Sequence, residues 1–518
     1  MLSKYPLSEV EKAFQRESGV DKISTLIPYL LVDNFPKLGL ITACRFLEWV
    51  SENPKGVISL PTGKTPEYFI KWTQYLLENW DTKKGKETRE KYGLGAVKKP
   101  YLKDLTFVQI DEFYPISSKQ KNSFFDYVNK FYLEGFGLSK EKAILINSDE
   151  IPLAGGKHFK EVFPDLKVDL SLRFRDPINN LEKIQQESIY KIDHWCGQYE
   201  QKIRDAGGIG FFLGGIGPDG HIAFNTRGSH LFSTTRLTET NFETQAVAAG
   251  DLGGIEVSAN RLVITIGLDT IVFNPDAVGI IIAAGEAKAQ IVKDSLETPL
   301  DNVYPATVLQ KLKNGRFYLT KGAAVKLTDS VDAYYRQGEW TWEKTERAIV
   351  DLCKKIKKYG HRLKMEDLKA DKYTAMIPGL SEETVNQVME STIAKLTRGI
   401  TQERDEVLLH TGPHHDDISL GILPHITNQL HEYSNEAHFS VLTSGFTAVT
   451  NTFVIDTLLQ TKKLLDEGKI QMVKFEDFFD VGYKLKTDKD VYHFLTNVAS
   501  EDLDERIRGL CHRVVRAV

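Results

Sequence analysis

Sulfur is sparse in this chain: its four cysteines among 518 residues, Cys44, Cys196, Cys353 and Cys511, include no Cys-x-x-Cys pair. That excludes a disulfide framework and a cysteine zinc site as organising principles, and makes a reducing cytoplasm the expected setting. Long apolar runs are also missing. The longest, residues 277–285, falls far short of the ~20 residues that span a bilayer. The first residues, MLSKYPLSEVEKAF, mix charge with apolar side chains and lack the core of a secretory leader. Nor is there an excess of either charge. Lys and Arg number 66 against 71 Asp and Glu, a net charge of -5, which gives no electrostatic case for nucleic acid or an anionic membrane as a partner. Internal repeats and low-complexity tracts are absent too. What remains is a multidomain protein suited to small-molecule chemistry, its length matching two or three domains.

From about residue 35 to 330, short β-branched runs alternate with amphipathic stretches, the pattern of a sheet covered by helices. Strands are expected at 56–60, 106–110, 143–147, 210–214, 261–266, 278–283 and 316–319. A helix is expected over 66–80, with Thr65 as its N-cap and Pro66 as its first residue. Two segments rich in charge, Gly and Pro, 83–99 and 151–182, read as surface insertions. Beyond residue 322 the texture changes. Residues 342–363 read as a polar helix, and a second α/β unit opens with the strand 407–410, followed by a helix from about 420, a strand at 439–443 and a helix at about 448–467. The expected fold is therefore α/β, a largely parallel, Rossmann-like sheet flanked by helices, followed by a second, incomplete α/β unit. The expected division is 1–330, a helical linker 331–400, and 401–518.

Four separated strings fall where such a sheet gathers its ligand site, at the carboxyl ends of strands. SLPTGKTP at 59–66 runs from a strand through a turn into a helix N-terminus, whose free N–H groups, with the hydroxyls of Thr62 and Thr65 and the cation of Lys64, suit a phosphate. QIDEFYP at 109–115 places Asp111 and Glu112 after an apolar strand, so that one of the two carboxylates enters the cleft. GGIGPDGHIAFN at 214–225 sets Asp219 two residues from His221, a pairing that orients an imidazole for proton transfer. GEAKAQ at 285–290 puts Lys288 at the start of a helix, a cationic ligand for a sugar phosphate.

With NSFFDYV at 122–128 and QYEQKIRDAGGIGFFLGG at 198–215, these strings resemble the glucosamine/galactosamine-6-phosphate isomerase family, which also contains 6-phosphogluconolactonases. The resemblance covers roughly residues 35–330. It implies a sugar-phosphate substrate, no cofactor for this part of the chain and a homo-oligomer. In the family's deaminases a histidine opens the sugar ring, an aspartate moves a proton between C2 and C1, and ammonia leaves. Carried over by motif, Asp111 is the base, His221 the ring-opening acid/base and Asp219 its orienting partner, while Thr62, Gly63, Lys64, Thr65, Gly217 and Lys288 bind substrate. Two departures stand out. Thr226 and Arg227 replace the deaminases' Glu-Pro, removing one acidic partner of the histidine, and 244–254 carries no arginine where the family has one for phosphate. Lys64 or Arg227 is expected to compensate. Three readings stay open: an amino-sugar-phosphate deaminase, a sugar lactonase, and a sugar-phosphate sensor without turnover.

In the second unit HTGPHHDDISLG at 410–421 clusters histidines and aspartates between a strand and a helix, a ligand set suited to zinc. It resembles the metal motif of PIG-L/LmbE-type deacetylases, as VLTSGF at 441–446 resembles a later strand of that family. The resemblance implies His414 and Asp417 as metal ligands and Asp416 as the base for a metal-bound water. His415 and Ile418 depart from the motif, and neither His493 nor His512 stands in a second recognisable one. The unit is expected to be truncated or degenerate.

Overall fold

The computed structural model describes residues 6–20, 23–63, 65–120, 122–165, 167–241, 245, 261–442 and 451–469, together with 504, 507–511 and 514. Seven strands form one parallel sheet: β1 (Tyr29–Val32), β2 (Val57–Ser59), β3 (Thr106–Val108), β5 (Ala143–Ile144), β6 (Phe211–Gly215), β9 (Val278–Ala283) and β10 (Asn314–Thr320). Their order is β1-β10-β9-β6-β2-β3-β5. Every pairing within it is parallel. The α/β expectation is met.

The sheet is buried on both faces, which is why its strands read as continuous apolar runs rather than alternating ones. Successive side chains divide between two cores. Phe212, Ile281, Phe317 and Leu319 pack into one, while Phe211, Leu213, Ile280, Ile282 and Tyr318 pack into the other, as the two-residue period of a strand requires. The helix Phe35–Glu52 closes the second core with Leu38, Ile41, Phe46 and Leu47, all fully or almost fully buried.

A second sheet was not anticipated. Strands β4 (Asp111–Tyr114), β7 (Arg236–Thr238) and β8 (Leu262–Thr265) form an antiparallel trio in the order β4-β8-β7. The run expected at 261–266 thus leaves the parallel sheet, and two of its partners are too short and too polar to show a strand period. Both supposed surface insertions are also structured. The segment at 83–99 opens with the helix Lys83–Lys91, whose Arg89 lies 4.3 Å from the centre of the Trp80 ring and donates to the carbonyls of Trp80 and Leu94. Within 151–182, Val162, Phe163 and Leu172 are fully buried.

The amino-terminal helix Glu9–Ser18 starts from a Ser8/Glu11 capping box and is tied to the sheet by an ion pair in its interior. Glu11, 1 % exposed, accepts from Arg316 Nε and from the Tyr318 hydroxyl, each at 2.8 Å. Removing one partner strands the other charge. Glu11→Ala is expected to lower unfolding free energy by about 3–5 kcal/mol, measured by urea denaturation, whereas a loss under about 1 kcal/mol would mean that water reaches Arg316.

Past residue 327 the helices Thr328–Arg336, Trp342–Ile356, Met365–Ala370 and Glu382–Ile400 surround a small core of their own, including Tyr335, Ile349, Leu352, Leu368 and Val388. Contacts divide the chain into two compact units, the first containing 1–245 and 260–404, the second containing 405–426 and 433–518. In the second, β11 (Val407–Gly412) and β12 (Glu436–Val441) pair in parallel. The helices His415–Leu430 and Asn451–Asp466 follow them in turn. No helix among the described residues is long and apolar enough to cross a membrane.

Candidate active site

β9, β6, β2 and β3 are consecutive neighbours in the parallel sheet, and each of the four motif strings leaves the carboxyl end of one of them. The sheet order therefore gathers segments from residues 62 to 288 at one edge, as open α/β sheets do.

After β2 the chain turns at Gly63, φ +78°, a left-handed conformation that favours glycine. The helix that follows is Glu67–Glu78, not a helix starting at Pro66. Pro66 occupies the cap position itself and supplies no side-chain acceptor. Thr65, expected as the cap, stands instead against Gly215, where an added Cβ would meet its methyl at 3.2 Å. The first N–H groups of the helix are left without a side-chain cap, which favours an anion there. Lys64 lies outside the described residues, as do 244 and 246–254, and 443–446.

After β3, Asp111 and Glu112 take different fates. Glu112 accepts from the Ser123 hydroxyl at 2.6 Å and from the backbone N–H groups of Phe125, Phe113 and Phe124 at 2.7, 2.9 and 3.1 Å. It ties β4 to the start of the helix Phe124–Val128. Burial pushes its carboxyl up to about 7 against these hydrogen bonds. Asp111 is also buried, but its carboxylate accepts no hydrogen bond among the described residues. Burial first, and the neighbouring Glu112 second, hold its carboxyl well above the usual range. A buried carboxylate without donors is a strong base once ionised.

After β6, His221 Nδ1 lies 2.5 Å from Asp219 Oδ1, so Nε2 is the ring nitrogen turned away from that carboxylate. Burial alone would raise the Asp219 carboxyl, but the hydrogen bond and charge of the imidazole hold it below the usual range. Gly217 does not present its N–H to a ligand: that group donates to the His221 carbonyl at 2.9 Å. Its role is space, since a Cβ here would sit 2.0 Å from the imidazole Cε1. Lys288, in the turn after β9, donates from Nζ to the Ile216 carbonyl at 2.9 Å. Burial lowers its pKa while Asp219 works the other way.

Sequence reasoning missed what joins the pieces. Thr265 pairs with Asp111 across β8 and β4, and its hydroxyl accepts from Phe224 N at 3.1 Å. Asn225, fully buried, donates to the carbonyls of Ile222 and Ile266. The loop that carries His221 is thus sewn to the strand beside Asp111. Phe224 stacks at 6.1 Å from the imidazole and packs 5.5 Å from Phe113. The only signal in the sequence was the AFN string itself. Beside the dyad, Pro218, Asp219, Thr226, Arg227 and Asn241 line a cleft of about 410 Å³. Arg227 donates from Nε to the Asp219 carbonyl at 2.9 Å, and its guanidinium lies 5.4 Å from the centre of the Tyr304 ring.

In the second unit, His414, Asp416 and Asp417 bring one nitrogen and two carboxylate oxygens within 4.8 Å of one another. Asp416, expected as a base, thus also comes within ligand reach. Asp417 additionally accepts from His414 N at 2.8 Å, capping its helix. Imidazole and carboxylate are donor types that a divalent ion such as zinc takes. His493 and His512 lie outside the described residues.

No family model matches the chain. Part of it is similar to curated glucosamine-6-phosphate deaminases. That of Borreliella afzelii (strain PKo) is 33% identical over 148 residues, covering 29% of this chain and 54% of the relative. That of Caenorhabditis elegans is 32% identical over 141 residues, 27% of this chain and 52% of the relative. The chain spans about half the length of the curated relatives it matches. Among solved structures, a monomeric glucosamine-6-phosphate deaminase of the NagB superfamily aligns with 57% of this chain and 99% of its own, at 21% identity and a TM-score of 0.42.

Proposed function

We propose, from this sequence kinship with glucosamine-6-phosphate deaminases, that the first unit converts an amino-sugar phosphate to a ketose phosphate and releases ammonia. One observation carries the reading: a buried carboxylate, Asp111, that accepts no hydrogen bond among the described residues stands on a strand sewn through Thr265 to the loop of the Asp219–His221 dyad. Proton abstraction next to a carbonyl needs such a base, and ring opening needs an imidazole that can give and take a proton at Nε2.

The substrate phosphate sits at the uncapped start of the helix Glu67–Glu78, with Thr62, Thr65 and Lys288 around it. His221 Nε2 moves the proton between the ring oxygen and the C1 hydroxyl, which opens the sugar. Asp111 then takes the C2 proton and returns it to C1. The resulting imine at C2 is hydrolysed, so water enters as ammonia leaves. Thr226 offers a hydroxyl where a second carboxylate would steady the imidazolium, so a slower enzyme is expected than one with glutamate there. Ammonia release from glucosamine 6-phosphate by the purified chain tests the reading. Hydrolysis of a sugar lactone without ammonia would contradict it, as would tight phosphosugar binding with no turnover.

For the second unit we propose a divalent metal held by His414, Asp416 and Asp417, in keeping with the resemblance of the 410–421 string to a deacetylase metal motif. When bound, such an ion would supply an activated water. Elemental analysis of the purified chain is expected to find zinc in near-stoichiometric amount and to lose it in His414→Ala. No metal above background, or a content unchanged in the variant, would sink this assignment.

A further inference from the structure

Both oxygens of the Asp219 carboxylate are held. Oδ1 lies 2.5 Å from His221 Nδ1, and Oδ2 accepts from Nδ2 of Asn241 at 2.7 Å. Asn241 comes from the connection after β7, remote from the GPDGH string, and shares a cleft wall with Thr226 and Arg227. We propose that Asn241 is a positioning residue for the dyad, taking up through Asp219 the orienting role left open at Thr226. The catalytic part of this assignment rests on the deaminase reading.

A carboxylate held at one oxygen only is free to turn about its Cβ–Cγ bond, and the imidazole turns with it. A second anchor on the other oxygen fixes the plane, and with it the direction of His221 Nε2. The Arg227 hydrogen bond to the Asp219 carbonyl fixes the backbone beneath. An amide suits the task because it donates at every pH and brings no charge of its own. The charged and titratable groups facing Asp219 are His221, Lys288 and Arg227. Besides the backbone N–H groups of Asp219 and His221, Asn241 is a neutral side-chain donor to this carboxylate, and its hydrogen bond stabilises the ionised form of Asp219. Its loss makes the carboxylate easier to protonate.

In the full chain, Asn241→Ala is expected to lower kcat about 10- to 100-fold, the worth of one hydrogen bond to a charged group, with KM for glucosamine 6-phosphate almost unchanged. Asn241→Gln, with the same amide on a longer arm, should recover part of the kcat. An Asn241→Ala enzyme with unchanged kcat would overturn the proposal. A readout independent of turnover is the downfield Nδ1–H proton resonance of histidine-labelled protein, assigned by its loss in His221→Gln. It should shift upfield or broaden in Asn241→Ala and return in Asn241→Gln; persistence unchanged in Asn241→Ala overturns the proposal. If the wild-type chain releases no ammonia yet the resonance depends on Asn241, the deaminase reading fails and the positioning role stands.

Discussion

Asp111→Asn is expected to lower ammonia release about 10²- to 10⁴-fold, and at the same time to raise the melting temperature. The two effects share one cause. Asp111 is buried, accepts no hydrogen bond among the described residues and lies beside Glu112, so its ionised form is poorly stabilised. That makes it a strong base when charged and a burden on the fold when charged. The sign follows from proton binding. Because the native state holds this proton more tightly than the unfolded chain, wild-type stability falls as pH rises from the ordinary carboxylate range, 3.8, through the raised value. Asparagine has no such loss, so the advantage of the variant should grow across that interval. Glu112, raised to about 7, titrates in the same sense, and the difference between variant and wild type reports Asp111 together with its coupling to Glu112. For the same reason turnover of the wild type should rise with pH through the Asp111 value. Melting curves and ammonia assays across pH 4–8 (about the range set by ordinary and raised carboxyls) check both. A variant that loses activity and stability together would make Asp111 a structural residue.

Gly217→Ala is the second large effect. A single methyl at this position would lie 2.0 Å from His221 Cε1, 2.2 Å from Nδ1 and 2.4 Å from Nε2. All three are far inside van der Waals contact, so the imidazole must leave its place. The ring is the end of a short side chain, bound to Asp219 and stacked on Phe224, and it cannot retreat without breaking the 2.5 Å contact. Turnover should fall about 10²- to 10⁴-fold, while the melting temperature changes little because the ring is displaced into the cleft rather than into the core. Phosphosugar binding should survive, since Thr62, Thr65 and Lys288 are untouched. Steady-state kinetics with calorimetric binding separates these outcomes. An active Gly217→Ala enzyme would show that His221 works from another position.

The gathering of the four strings at one edge of the sheet was legible because its signals are local. A strand, a turn and a helix start are contiguous in SLPTGKTP and in GGIGPDGH, and strand ends in an α/β sheet converge whatever the order. The continuous run at β9 likewise announced burial on both faces. The antiparallel trio was hidden: β7 is three residues, Arg-Leu-Thr, and β4 opens with two acids, so neither shows a period. Thr65 read as a cap because composition reports hydroxyls, not where they point. That Glu112 is bound, leaving Asp111 for the proposed role of base, depends on donors from residues 123–125, and the proposed hold on Asp219 depends on Asn241. Such pairings between distant single residues leave no pattern in one sequence.

The most direct measurement is the product balance when the purified full chain is incubated with glucosamine 6-phosphate. Ammonia and ketose 6-phosphate formed in equal amounts, and lost in Asp111→Asn, are the predicted result. Bound substrate recovered unchanged, or ammonia formation that persists in Asp111→Asn, would contradict it.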